Sequence, residues 1–467
     1  MKMSHHPIQN MAHRQEQKNV QSGKGSYLSW WQLSLIGISS VIGAGFFLGS
    51  GLSIRTAGVS VLLSYLVAGF AALIVFSALA EMTVNDPESG SFRTYAEKAY
   101  GEAYAFVFGW IYWFAGLLIV SSEITALSTF TRFWFPTVPL WLFFTGYSCF
   151  GIGVILLGIK DFGTIESFFA VLKLSALFAF ILMAFMLIIG NRPSFLHSLS
   201  VHNPFQAGLF PNGFFGFWGS MLFVLLSFGG IEIVGLIANK CRNEGDVTKA
   251  GYTLVFALIV IYLLSVVSIL SIAHWKSIGP SESPFVTALS AAHISFVSGL
   301  FNLIILSAAF STMIGALYSM TSILAALASD HAAPQLFNKR NKKDIPVYGL
   351  LLTLGLLIVI DVLSYFLPKS VYEYLATASS TMLILNWLNI ILSDMKNRRA
   401  YSVKHWTMPL QPYSGIIGIL IIGFGIAGSV FQRQQRISLI FILVIIALIL
   451  AFYWFKKNLI DEKKPVQ

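Results

Sequence analysis

Apolar residues run in long uninterrupted blocks along this chain, and charged residues fall between the blocks. Gly25–Ile54, Thr56–Ala80, Phe133–Ile159, Pro193–Ile231, Ala250–Trp275, Ser283–Ser329, His405–Gln432 and Ile437–Phe455 contain no Asp, Glu, Lys or Arg. About 20 apolar residues of helix cross a bilayer, and these blocks are long enough. The pattern predicts twelve transmembrane helices at approximately 30–53, 58–81, 103–129, 139–159, 163–190, 214–238, 250–273, 294–327, 346–366, 371–393, 412–431 and 437–456. The fold class is therefore expected to be an all-α polytopic membrane protein. Its parts are a tail at 1–29, five helices over 30–190, five more over 214–393, helices 11 and 12 over 412–456, and a second tail at 457–467.

Composition sharpens this picture. Only 11% of the residues are charged and 56% are hydrophobic, against about 25% charged in soluble proteins. The first 29 residues carry Lys2, Arg14, Lys18 and Lys24 without an apolar core, so they read as a cytosolic tail and not as a signal peptide. With that tail inside, 22 of the 30 Lys and Arg residues fall on the cytosolic side and 7 outside, with Lys173 inside a span. Basic residues retained on the cytosolic side set orientation, which places both termini inside the plasma membrane. The net charge of +10 is spread along the loops, so it speaks for topology and against a nucleic-acid partner. Two cysteines, Cys149 and Cys241, and nine scattered histidines supply no disulfide framework or metal site. No cofactor is expected, and no feature specifies an oligomeric state. Without a nucleophile and base at usable spacing, the chain does not read as an enzyme.

Function has to be sought where the helices are irregular. Helix 1 reads Ile42-Gly43-Ala44-Gly45-Phe46-Phe47-Leu48-Gly49, and helix 6 reads Ser227-Phe228-Gly229-Gly230-Ile231-Glu232. A glycine inside a helix costs about 1 kcal/mol relative to alanine. One reading is close helix packing through Gly45 and Gly49, spaced as GxxxG. A dinucleotide-binding reading fails, because no strand precedes the glycines and the spacing is GxGxxxG. If the first ten helices form two repeats of five, helices 1 and 6 open the two halves. Paired interruptions there point to an inverted-repeat transporter with its site at the breaks. Unwound backbone at mid-membrane offers N–H groups to a carboxylate and carbonyls to an ammonium.

Ionisable side chains inside spans cost about 2.5–3.5 kcal/mol each on the insertion scale and need a partner or a purpose. Lys173 in helix 5 either snorkels toward the cytosol or, held in a dry site, serves as a group that exchanges a proton. Glu123 in helix 3 serves either a structural hydrogen bond or a proton relay. Glu232 either relays protons or caps N–H groups freed where helix 6 restarts. Glu81 and Glu373 are expected at the interfaces. Phe223 and Leu226, just before the break in helix 6, are candidates to bound a side-chain pocket.

These motifs resemble the amino acid/polyamine/organocation superfamily, in its bacterial amino-acid permease branch. The resemblance runs from Trp30 to about Arg399. It is carried by Ile42-Gly43-Ala44-Gly45-Phe46-Phe47, by Pro87-Glu88-Ser89-Gly90-Ser91-Phe92 with Tyr95-Ala96, by Gly109-Trp110-Ile111-Tyr112-Trp113 through Glu123-Ile124-Thr125 to Phe133-Trp134-Phe135-Pro136, by Ser227 through Glu232, and by Ser283-Pro284-Phe285-Val286. It implies a five-plus-five inverted repeat with broken helices 1 and 6 and a substrate held between them. The substrate carboxylate would lie on N–H groups of Gly43, Ala44 and Gly45, and its amino group on carbonyls near Val41, Phe228 and Gly229. A lysine matching Lys173 takes the place of a bound sodium ion in proton-coupled relatives. Ser311 and Thr312 fall where sodium-dependent relatives supply hydroxyl ligands. One departure is Ala238-Asn239-Lys240-Cys241-Arg242-Asn243, where relatives commonly carry Ala-Gly-Glu followed by Asn-Pro.

The expected function is import of an amino acid, together with a proton, by alternating access. The rivals are an amino-acid exchanger and a transport-silent amino-acid sensor on the same fold. The division of basic residues carries its own test. A cysteine introduced at Asn341, within Lys339-Arg340-Asn341-Lys342-Lys343, should resist an impermeant thiol reagent added to intact cells and react once the membrane is opened.

Overall fold

The computed structural model describes residues 28–87, 92–158, 162–189, 203–236, 241, 244–291, 295–366, 370–399, 401 and 406–461. Most of the N-terminal tail, the end of the C-terminal tail, part of the motif after Pro87 and all but Cys241 of the 239–243 departure lie outside them. In order the helices are α1 (Trp30–Val41), α2 (Ala44–Phe47), α3 (Gly49–Ala57), α4 (Val61–Asn85), α5 (Phe92–Tyr100), α6 (Glu102–Thr131), α7 (Leu140–Leu157), α8 (Phe162–Ile189) and α9 (Gly213–Leu226). They continue as α10 (Ile233–Leu236), α11 (Glu244–Ile272), α12 (Pro284–Ala291), α13 (Ser295–Ser329), α14 (Val347–Phe366), α15 (Val371–Asn397), α16 (Tyr413–Gly428) and α17 (Arg433–Asp461). Among the described residues there is no strand beyond one isolated bridge between Leu28 and Cys241. The fold is all-helical, as the hydropathy pattern predicts.

Ten of the described helical stretches are long and apolar enough to cross a membrane, the first being the run Ala44–Asn85 that joins α2, α3 and α4. This makes the chain a multi-pass membrane protein. α1 and α9 are shorter, at 12 and 14 residues, because each stops at a break. A helix stopped inside hydrocarbon leaves backbone groups without partners, so the side chains packed around those two stops decide what the molecule can do.

α6 packs along α13 and α15, α4 along α11, α9 against α3 and α4, and α1 between α8 and α11. α15 is a core helix, 83% buried over its most apolar window, whereas the same measure for α17 is 22%. Short helices close the ends. Ser283, just before α12, donates its hydroxyl to the Phe47 carbonyl at 2.7 Å, which caps the end of α2. Lys343 places its ammonium 3.0 Å from the Leu157 carbonyl at the end of α7, where a cation meets the negative end of the helix. Arg93 of α5 pairs with Asp330 beyond α13, and Lys98 reaches Asp86 at 2.6 Å.

Glu81 departs from expectation. It is fully buried, with Oε2 accepting from the Met408 N–H at 3.1 Å and from Gln411 Nε2 at 2.5 Å. The irregular backbone ahead of α16 folds over the C-terminal end of α4 and needs an acceptor there, so the carboxylate is enclosed by protein.

Helix α16 approaches α9 closely enough for Trp218 Nε1 to donate to the Phe424 carbonyl at 2.6 Å. A Cβ on Gly428 would stand 2.4 Å from the Trp218 carbonyl oxygen, whereas one on Gly423 would meet nothing within 4 Å. Gly428→Ala should lower the melting temperature of detergent-purified protein by several degrees, on the order of 1–3 kcal/mol of overpacking. Gly423→Ala should leave it unchanged or slightly raised, since alanine favours the helix.

Candidate functional site

The first span is interrupted twice. α1 ends at Val41, the Ile42 N–H closes back on the Ile38 carbonyl at 3.0 Å, and Gly43 is extended before α2 begins at Ala44. The freed groups are met by side chains from three other helices. Lys173 of α8 donates to the Ser39 carbonyl at 2.7 Å. Thr312 of α13 donates to the Ile42 carbonyl at 3.2 Å. The Ala44 N–H lies 3.0 Å from both carboxylate oxygens of Glu123 in α6. A Cβ on Gly43 would stand 2.5 Å from Glu123 Oε1 and 2.8 Å from Thr312, so a glycine is what lets the carboxylate come this close. The second interruption lies at Leu48, between α2 and α3.

Lys173 is fully buried, and its ammonium also donates to Thr312 Oγ1 at 2.9 Å. The snorkelling reading is thereby excluded, since the amine is held inside the protein between α1 and α13. Two turns earlier on the same face of α8 sits Glu166, which the sequence analysis does not single out. Its Oε2 accepts from the Ser39 hydroxyl at 2.5 Å and from Ser311 at 3.3 Å. Seven-residue spacing from Lys173 was the signal that could have found it. Ser39 thus gives its hydroxyl to the acid and its carbonyl to the base.

In the sixth span, α9 ends at Leu226 and turns lead through Ser227–Glu232 to α10. Gly230 has φ +105°, a conformation that suits glycine. Glu232 Oε2 accepts from the Gly230 N–H at 3.2 Å and from Trp387 Nε1 at 3.3 Å, and Oε1 accepts from the Tyr112 hydroxyl at 3.4 Å. The acid therefore caps its own break and ties it to α6 and α15. The Phe228 ring enters an aromatic cluster, 5.2 Å from Tyr262, whose ring in turn stacks on Phe46 at 3.9 Å.

The two breaks touch. A Cβ on Gly45 would meet the Leu226 carbonyl at 3.3 Å, and one on Gly230 would meet the Ser40 carbonyl at 3.1 Å and Val41 at 3.2 Å. Of the predicted site residues, Val41, Gly43, Ala44, Gly45, Leu226, Phe228 and Gly229 come together, with Lys173 and Glu123 on the helix 1 side. Phe223 is buried one turn before Leu226, and Glu232 bonds toward α6 and α15. Hydroxyls absent from the sequence reading complete the assembly. Ser227 Oγ donates to the Gly45 carbonyl at 2.9 Å, Tyr262 to the Ser227 carbonyl at 2.8 Å, and Tyr372 to the Ala44 carbonyl at 2.7 Å. Tyr372 stands in the first turn of a span, where a tyrosine reads as interfacial, so the sequence carried no signal for it.

Such a constellation, of two helix breaks meeting in a dry interior with backbone donors and acceptors held by ionisable side chains, suits a zwitterion. The family described as amino acid permease matches residues 32–465. The uncharacterized transporter YcgH of Bacillus subtilis is 36% identical over 435 residues, which cover 92% of this chain and 96% of the relative. The gamma-aminobutyric acid permease of the same organism is 31% identical over 95% of this chain and 96% of its own length. The aromatic amino acid transport protein AroP of Escherichia coli is also 31% identical, over 91% and 94%. Among solved structures, a manganese transporter from Eremococcus coleocola superposes with a TM-score of 0.56 at 13% identity, covering 91% of this chain and 94% of that one, which speaks to the fold alone. The chain belongs to the amino acid permease family.

Proposed function

We propose that this protein imports an amino acid across a plasma membrane by proton symport, through alternating access, with twelve spans and both termini cytosolic. In this reading the first ten spans form two repeats, 30–190 and 214–393, that meet at the broken helices. The observation that carries it is the Lys173 ammonium on the Ser39 carbonyl and the Thr312 hydroxyl, at the first break. A charged Lys173 binds the end of α1 to α8 and α13, and a neutral one holds it less firmly, so protonation biases how the helices pack.

Substrate enters the same account through Glu123. The Ala44 N–H proposed for the substrate carboxylate already carries the Glu123 carboxylate. Two carboxylates cannot share one donor in a dry site without strong repulsion. Glu123 therefore gives way, by moving or by taking a proton, as the substrate arrives. Proton and amino acid are coupled at one backbone group.

Uptake by purified protein in proteoliposomes, across the twenty standard amino acids and γ-aminobutyrate with and without an imposed pH gradient, tests the proposal. Aromatic amino acids and γ-aminobutyrate, taken from the names of two relatives, belong in the first round. Gradient-independent exchange would favour an exchanger, and binding without flux a sensor.

Two variants probe the site. Gly43→Ala places a methyl group against Glu123 and Thr312 and should abolish substrate binding while protein still reaches the membrane; unchanged affinity would move the carboxylate site elsewhere. Lys173→Ala should lose concentrative uptake driven by a pH gradient while equilibrium binding persists, because the proposed substrate contacts are backbone groups. Wild-type accumulation in Lys173→Ala would make the lysine structural and shift coupling to Glu123 or Glu232.

A further inference from the structure

The second interruption of the first span has its own partners. α2 stops after Phe47, and Leu48 at φ −114° and ψ −41° links it to α3. The Leu48 N–H reaches the Ala44 carbonyl at 2.9 Å. Onto the same carbonyl Tyr372, from the first turn of α15, donates its hydroxyl at 2.7 Å. A Cβ on Gly49 would stand 3.4 Å from that hydroxyl, so the tyrosine is fitted into the notch between α2 and α3. Its ring is buried, with 6% of the residue exposed.

A trans peptide is planar, and its C=O and N–H point in opposite directions. The carbonyl of Ala44 and the N–H of Gly45 belong to one such plane. Whatever fixes the first aims the second. Gly45 N–H lies at the start of α2, where helix N–H groups have no partner within the helix, beside the Ala44 N–H that meets Glu123. The following carbonyl, that of Gly45, is held by Ser227.

We propose that Tyr372 is a positioning residue for substrate recognition: by holding the Ala44 carbonyl, its hydroxyl sets the direction of the Gly45 N–H that receives the substrate carboxylate. The proposal rests on the transport reading above and adds to it a residue on the far side of the peptide plane that does not touch the substrate. Removing the hydroxyl leaves the Ala44 carbonyl with the Leu48 N–H as its one remaining partner, so the plane can tilt, and the Gly45 N–H is aimed less well at the carboxylate while the rest of the molecule keeps its contacts.

The test is Tyr372→Phe, which keeps the ring and its packing. Each amino acid of the uptake screen is titrated against purified wild type, and those that bind are titrated against the variant, together with the decarboxylated amine of each. The expected result is a roughly tenfold weaker Kd for the amino acid, the scale of one lost hydrogen bond, with no change for the amine. Uptake should show a raised KM and a nearly unchanged maximal rate. Equal weakening for amino acid and amine, or an unchanged Kd in variant protein of wild-type melting temperature, overturns the assignment. Should Tyr372→Phe fail to fold, Gly49→Val crowds the hydroxyl from its other side and should weaken amino-acid binding in the same selective way; an unselective effect there counts against the proposal. Wild-type protein that binds none of the amino acids screened for uptake defeats the transport reading itself, an outcome distinct from a wild type that binds and a variant that binds equally well.

Discussion

Backbone polar groups inside a membrane must be satisfied by protein, because no water stands ready to receive them. Most of the central site's polar contacts follow from two violations of that rule. The first and sixth spans stop in mid-course, and each stop frees carbonyls on one side and N–H groups on the other. Leaving one such group unpaired costs on the order of a few kcal/mol. The neighbouring helices therefore carry polar side chains at the depth of the breaks, among them Lys173, Thr312, Glu123 and Tyr372, and the sixth-span break adds its own Ser227 and Glu232. In a soluble protein the same groups would have found solvent, and no comparable convergence would be needed.

The two breaks are satisfied differently. At the sixth span, Glu232 folds back on the Gly230 N–H and is itself held by Trp387 and Tyr112, a closed arrangement whose members sit on α6, α15 and the break. At the first span the partners come from α6, α8, α13 and α15 and include an amine and two acids, Lys173, Glu166 and Glu123. The first break has more charge around it than its own backbone requires. In the proposed reading that excess suits a cluster whose protonation changes during transport, whereas Glu232 has its partners within its own break and the two helices beside it.

Hydropathy made the helical fold legible, because a span announces itself by an unbroken apolar run whose length the bilayer fixes. The glycine pairs marked both breaks for a related reason: a glycine in a helix interior is a cost that a sequence carries only where backbone must bend or come close. Lys173 and Glu123 were visible as charges out of place. What stayed hidden shares one property. Glu166 sits near enough to a helix end to pass for an interfacial acid, as Glu81 also does, yet both are buried, and only packing decides that. Ser39, Ser227 and Tyr372 are common residue types in spans, and nothing about a serine or tyrosine reports whether its hydroxyl meets its own helix or a carbonyl on another.

The hydroxyls and the charges divide the work of the first break by what each can sense. A hydroxyl from Ser227 or Tyr372 holds a carbonyl with the same strength at any ordinary pH, so it fixes the shape of α2. Lys173, Glu166 and Glu123 hold the ends around that shape, and in the proposed cycle their grip changes with the protons they carry. Ser39 lies across this division, giving its hydroxyl to Glu166 and its carbonyl to Lys173, so a change in either group is felt by the same turn of α1. In the proposed cycle a substrate carboxylate at Ala44 adds a negative charge beside Glu123 and Lys173. The linkage must be reciprocal: if that charge favours protonation of the cluster, protonation favours the substrate by the same free energy. In that cycle coupling needs no long pathway, since Lys173 and Glu123 reach the same broken helix from α8 and α6, at Ser39 and at Ala44.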